Sequence, residues 1–82
     1  MTDIARTPRQ IGAIIRRQRK LLGLSQSALG DRAGLRQETI SLIETGNVAT
    51  RLDTILAVLA ALDLEFQIGA RSRKRGIEDL VG

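Results

Sequence analysis

Residues 24–46, LSQSALGDRAGLRQETISLIETG, decide the fold of this chain, because their spacing predicts two short helices joined by a glycine turn. Ser25 is suited to cap the first helix, and Gly34 stands where a left-handed residue ends it after Ala33. The inner face of the second helix comprises Leu35, Ile40 and Ile43. The opposite face carries Glu38, Ser41, Leu42 and Thr45. The stretch therefore predicts a mostly polar helix face held outward by an apolar corner.

A helix is predicted on the N-terminal side of this stretch. Thr7 precedes Pro8, with Gln10 at the reciprocal capping-box position, which is typical of a helix start. Gly23 predicts the end of this helix, after about residue 22. Its apolar stripe comprises Ile11, Ile14, Ile15 and Leu22.

Another helix is predicted on the C-terminal side, where Thr50 and Asp53 resemble a capping box. It is expected to contribute Leu52, Ile55, Leu56, Leu59 and Leu62 to the core. The sequence thus predicts a mainly α fold, a compact bundle of four to five helices. The bundle is assigned to residues 7–62, after a flexible N-terminus at residues 1–6.

Composition excludes several classes of function. The 82 residues carry a net charge of +4, which favours a polyanionic partner, and contain no cysteine or histidine. Phe66 is the only aromatic residue, so stacking platforms for single strands are nearly excluded. The acidic residues form no paired or metal-spaced arrangement, and the glycines form no phosphate-binding loop. We expect no enzyme, no catalytic residue, no cofactor and no metal.

Residues 62–68, LDLEFQI, alternate strictly between apolar and polar, which predicts a strand. A lone strand must find a partner for its backbone groups, most simply the same strand of a second copy. We therefore assign residues 63–69 as a dimerisation strand of a homodimer, with Leu64, Phe66 and Ile68 as its apolar residues. The alternative is an extended apolar tail that lies on its own bundle.

Residues 70–82 form a basic C-terminal tail, in which RSRKR at 71–75 places four cations among five residues. Such a run is either a solvated linker or an arm that binds phosphate or a partner. For the last seven residues, GIEDLVG, a brief helical turn is the expected structure. No signal-peptide pattern or membrane-spanning apolar run is present, so the expected partners include no membrane and the expected location is the cytoplasm.

The outer face of the second central helix is equipped for the major groove of DNA. Gln37 can contact adenine bidentately, Glu38 can accept from cytosine, Ser41 can bond either way, and Leu42 can touch a thymine methyl. Arg36 can contact guanine or phosphate. Gln26, at the start of the preceding helix, is placed for a phosphate. From the residues alone, a solvated helix face without a partner is an equal alternative.

The motifs GLSQ, AGL, TIS and IE followed by G occur here in the order found in Cro/C1-type (XRE family) helix-turn-helix proteins, which residues 7–68 resemble. The resemblance implies a lambda-repressor-like bundle with a recognition helix. The candidate DNA-binding residues are Ser25, Gln26, Arg36, Gln37, Glu38, Thr39, Ser41, Leu42 and Thr45. It also implies an interior ion pair between Arg19 and Glu44.

The strand after four helices is similar to HipB-type antitoxins of this family. That resemblance implies a dimer that represses its own operon and binds a HipA-type Ser/Thr kinase toxin. The short basic tail departs from the longer tails of such antitoxins. The expected function is a repressor that binds a palindromic operator in double-stranded DNA and acts as an antitoxin; the alternative is a stand-alone XRE-family regulator without a toxin partner.

Overall fold

The computed structural model describes residues 3–47 and 49–71, which fold into four helices. The helices are α1 (Pro8–Leu21), α2 (Gln26–Ala33), α3 (Gln37–Glu44) and α4 (Leu52–Ala61). Helix α2 packs against α3 and α4, and α1 packs against α3. The prediction of a mainly helical bundle is confirmed. The helical turn predicted for the last seven residues, and the basic tail from residue 72 onward, lie outside the described residues.

The first two helices begin at the residues that the sequence predicts. The Thr7 hydroxyl accepts a hydrogen bond from the Gln10 N–H at 3.1 Å, and the Ser25 hydroxyl accepts one from Ala28 N–H at 3.0 Å. The Gln10 side chain accepts from the N–H of Arg6, one residue before the position that a regular capping box uses. Local side-chain chemistry therefore sets these two helix starts.

The start of α4 differs from the prediction. Arg51 is its N-cap and makes no capping hydrogen bond with its side chain. Thr50 does not cap the helix, because its hydroxyl donates to the Asn47 carbonyl oxygen at 3.2 Å and closes the preceding turn. Asp53 lies in the first turn of α4, where the negative charge of a carboxylate interacts favourably with the helix dipole.

The core lies where the four helices converge. Its fully or almost fully buried side chains are Ile15, Leu29, Ile40, Ile43, Val58 and Leu62. Two glycines allow close approach of the backbone, Gly12 between α1 and the end of α3 and Gly30 between α2 and the turn before α3. A Cβ on Gly12 would meet the Ile43 carbonyl oxygen, and a Cβ on Gly30 would lie 2.6 Å from the Leu35 carbonyl oxygen. The end of α3 therefore lies close against α1, and the turn that precedes α3 lies close against α2.

Three leucines that the sequence assigned to the core lie at the surface. Leu22 is 41% exposed, because it is the C-cap residue beyond the last turn of α1. Leu52 and Leu56 are 63% and 42% exposed. They lie one turn apart on α4. The apolar residues of α4 extend around more of the helix surface than the neighbouring helices cover, and these two leucines lie at the uncovered edge. Their prediction as core residues was wrong.

The predicted strand is absent from the described residues of this single chain. Its assigned start is wrong, because Leu62 is the fully buried C-cap of α4 and Asp63 has a φ of 58°, in the left-handed region. Residues 64–71 have no regular secondary structure. Leu64 packs against the core of its own chain, whereas Phe66 and Ile68 are 48% and 89% exposed. One apolar residue of the alternating run, Leu64, thus contributes to the core of the single chain.

No helix within residues 3–47 and 49–71 is long and apolar enough to cross a bilayer.

Candidate nucleic-acid interface

The outer face of α3 presents polar side chains together with one exposed leucine. We use the term outer face for Arg36, Gln37, Glu38, Thr39, Ser41, Leu42 and Thr45. Thr39 and Ser41 are half-buried, and the others are exposed. Leu42 leaves 51% of its surface accessible although it lies on a helix with a buried apolar side. The arrangement provides donors, acceptors and an apolar contact on α3 and at its two ends.

The turn between α2 and α3 holds this face in place. Gly34 has a φ of 71°, which a residue without a Cβ adopts at no steric cost, and it ends α2. The Leu35 N–H then donates to the Gly30 carbonyl oxygen at 2.8 Å. On the inner side, Leu29 of α2 and Ile40 of α3 are fully buried in one cluster. The two helices therefore form a rigid corner.

A buried ion pair lies behind the corner. The Arg19 Nε donates to Glu44 Oε2 at 2.6 Å, and Arg19 Nη2 donates to Glu44 Oε1 at 3.0 Å. Arg19 Nη1 also donates to the Leu24 carbonyl oxygen at 2.8 Å. The side chains of Arg19 and Glu44 are only 10% and 3% exposed. The structure thus joins α1 to the end of α3 through a bidentate contact, the stronger form of charge-assisted hydrogen bonding.

The charge of Arg19 is stabilised by this contact. The hydrogen bond to Glu44 raises the pKa of Arg19 above its ordinary value, and the attraction of the Glu44 charge adds to the effect, although burial opposes it. A raised pKa means that the stability gained from this group is present below its unfolded pKa and is lost as pH rises through the folded pKa. Because arginine already titrates above the neutral range, Arg19 stays charged at neutral pH.

Two glutamines extend the ion pair to the outer face. The Gln26 Nε2 donates to Glu44 Oε1 at 3.2 Å, and the Gln37 Nε2 donates to Gln26 Oε1 at 3.3 Å. Sequence reasoning placed Gln26 and Gln37 as separate DNA contacts and missed the link between them. No local pattern signals it, because the two residues lie on different helices and meet only through the packing of α2 on α3.

The remaining candidates occupy the ends of the helices. The Ser25 oxygen caps α2, and the Thr45 hydroxyl donates to the Leu42 carbonyl oxygen at 3.0 Å. Arg9 was not among the predicted site residues, yet it packs on Gly46, where an added Cβ would lie 2.9 Å from the Arg9 Cα. An exposed cation on α1 is thereby placed beside the loop that follows α3.

The apolar residues predicted for dimerisation lie elsewhere. Leu64 and Phe66 help to line an open groove of about 440 Å³, together with Ile11 and Ile14 of α1 and Ile55 and Leu59 of α4. Ile68 follows this groove along the chain. Across the described parts of the chain, no three acidic residues are grouped closely enough to hold a metal ion.

Comparisons with known proteins agree with this geometry. A family model described as helix-turn-helix, HTH_3, matches residues 15–68. A chain of a HipB variant in complex with an O2 20mer superposes with a TM-score of 0.81 at 25% identity, covering 88% of this chain and 100% of that chain. Chains of a HipB–O4 20mer complex and of a HipA–HipB–O2–O3 complex each give 0.80 at 27% identity, covering 87% and 100%. The comparison with curated proteins found no match.

Proposed function

The chain belongs to the HTH_3 helix-turn-helix family, and on this premise we propose that it is a transcriptional repressor that binds a specific sequence of double-stranded DNA. The family match and the similarity to HipB in complexes with 20mers support a DNA-binding regulator, not an enzyme. The observation that carries the proposal is the outer face of α3, held by a glycine turn and a buried ion pair.

In the proposed complex, α3 lies in the major groove. Gln37 and Glu38, at the exposed start of α3, contact base edges, and Leu42 contacts a thymine methyl. Ser25 and Gln26, at the start of α2, contact the phosphate backbone. The net charge of +4 favours this polyanion.

We further propose that two copies associate. Small domains bury little apolar surface by themselves, and this chain leaves Leu52, Leu56, Phe66 and Ile68 exposed on α4 and the segment after it. Pairing of residues 64–68 with the same residues of a second copy would satisfy their backbone groups and cover Phe66 and Ile68. A two-fold dimer places its two α3 helices in successive major grooves, about 34–36 Å apart, on a palindromic operator.

Selection of bound DNA from a random pool at physiological salt tests DNA binding. We expect a palindrome with half-sites one helical turn apart. The affinity for that site is expected to fall with salt, with a log–log slope of about −0.9 for each phosphate neutralised. A pool without enrichment, or an affinity that does not change with salt, would contradict the proposal.

Sedimentation velocity at micromolar concentration tests the dimer. We expect the wild type to sediment as a dimer and the Phe66→Asp/Ile68→Asp variant as a monomer, because two carboxylates would be buried without partners in the interface. Gln67→Asp is the matched control, since it adds a carboxylate at an exposed polar position of the same segment. A monomeric wild type would rule out the dimer.

A second function, neutralisation of a HipA-type Ser/Thr kinase toxin, is favoured by the similarity to a chain of the HipA–HipB complex. It is compatible with repression, since one dimer can bind both partners. A kinase-like gene beside this one, or co-purification of a much larger protein, would favour the antitoxin. An isolated regulatory gene would favour a stand-alone regulator.

A further inference from the structure

We propose that Glu44, besides pairing with Arg19, sets the orientation of the Gln37 carboxamide through Gln26. Glu44 is then a positioning residue for base selection. The inference rests on the proposed DNA binding. It concerns which DNA base the outer face prefers. It follows from the donor-to-acceptor direction of the hydrogen bonds that link Glu44 to Gln26 and Gln26 to Gln37.

The direction of these hydrogen bonds is set by the Glu44 carboxylate. An ionised carboxylate can only accept hydrogen bonds, so Gln26 must turn its Nε2 toward Glu44, where the N–O distance is 3.2 Å. The Oε1 of Gln26 then faces Gln37, which must in turn present its own Nε2, at 3.3 Å. Reversing either amide would bring two oxygens or two N–H groups together. One carboxylate therefore determines the direction of two amides.

The carboxylate itself cannot reorient. Arg19 donates to both of its oxygens, and the Glu44 side chain is 3% exposed. The Glu44 side chain is shielded from solvent, Gln26 is a half-buried residue and Gln37 is exposed. A rigid interior group is thus linked to a surface side chain that would otherwise rotate freely.

The fixed direction matters for recognition. With one N–H of Nε2 bound to Gln26, Gln37 keeps its second N–H and its Oε1 for a partner. Adenine offers N7 as an acceptor beside the N6 donor, the complement of this pair of groups. If Gln37 is held in one orientation, the positions of its N–H donor and its Oε1 acceptor are fixed. Bases whose acceptor and donor groups are arranged differently in the major groove are then disfavoured.

The test must remove the carboxylate without leaving a buried charge. Arg19→Met/Glu44→Leu does so, and apolar replacement of a buried ion pair is often neutral or stabilising. We measure base preference at the operator position whose preference is lost in Gln37→Ala. The wild type is expected to prefer its base there by about 5- to 150-fold, the range for a bidentate contact. The folded double variant is expected to lose most of that preference and to keep its preferences elsewhere.

A double-mutant cycle separates positioning from general damage. In the Gln37→Ala background, Arg19→Met/Glu44→Leu is expected to change the preference at this position no further. If the double variant does not fold, Gln26→Met removes the hydrogen bonds to Glu44 and Gln37 while leaving the ion pair. Its affinity for every site is expected to fall, because a proposed phosphate contact is lost, but base preference is expected to be lost only at this position.

Full preference in either folded variant, or an equal loss at every operator position, would overturn the inference. A wild-type protein without any sequence preference would instead overturn the proposed function, and the inference with it. The two failures are therefore distinguishable in one set of binding measurements.

Discussion

The Glu44→Ala variant is expected to be unfolded, or nearly so, at room temperature. The substitution leaves the guanidinium of Arg19, a residue only 8% exposed, without its carboxylate partner and removes both hydrogen bonds between them. Breaking a buried pair in this way costs about 3–5 kcal/mol. Small domains have a total free energy of unfolding near the lower end of about 5–15 kcal/mol. The loss therefore consumes most of the stability available.

Circular dichroism during thermal and urea unfolding measures the effect. Glu38→Ala is the matched control, because it removes an exposed carboxylate from the first turn of the same helix. Its free energy of unfolding is expected to change by no more than about 1 kcal/mol, the limit for a charge at a helix N-terminus. A Glu44→Ala protein with the wild-type unfolding midpoint would show that the ion pair contributes little.

The Gly12→Ala variant is expected to lose about 3 kcal/mol of stability, the upper range for overpacking. Its new Cβ would meet the Ile43 carbonyl oxygen and lie 2.7 Å from the Glu44 carbonyl oxygen. Both obstacles are backbone atoms, which no change of rotamer can move aside. Alanine is a better helix former than glycine by about 1 kcal/mol, but this gain is smaller than the expected clash.

Urea unfolding of Gly12→Ala reports the loss as a lower midpoint with an unchanged slope. Gly69→Ala is the control, because a Cβ at that glycine meets no atom within 4 Å. We expect it to leave the midpoint almost unchanged. A Gly12→Ala variant that is as stable as the wild type would show that α1 and α3 can separate at little cost.

The four helices, and the N-caps of α1 and α2, were predictable from the sequence. Ser25 and Gly34 act locally, since a cap or a left-handed turn involves residues three or four positions apart. The spacing of Ile40 and Ile43 similarly predicts which side of α3 is buried. These signals depend on backbone geometry that every helix shares.

The end of α4 shows that the alternating pattern was misleading at its first two residues, Leu62 and Asp63. Alternation over residues 62–68 predicts a strand, yet Leu62 completes the helical core and Asp63 turns the chain with a positive φ. A short alternating run cannot distinguish a strand from a buried helix end followed by a turn, because both place apolar residues two positions apart.

The sequence by itself determined the approximate positions of the helices, the buried side of α3 and the polar residues that α3 exposes. Only the tertiary structure decided that Leu52 and Leu56 remain exposed, and that Gln26 and Gln37 form one chain of hydrogen bonds with Glu44. The physical reason is the distance along the chain over which each kind of interaction acts. Caps and periodicity act within a few residues, whereas exposure and contacts between helices depend on how closely the helices pack, which Gly12 and Gly30 permit.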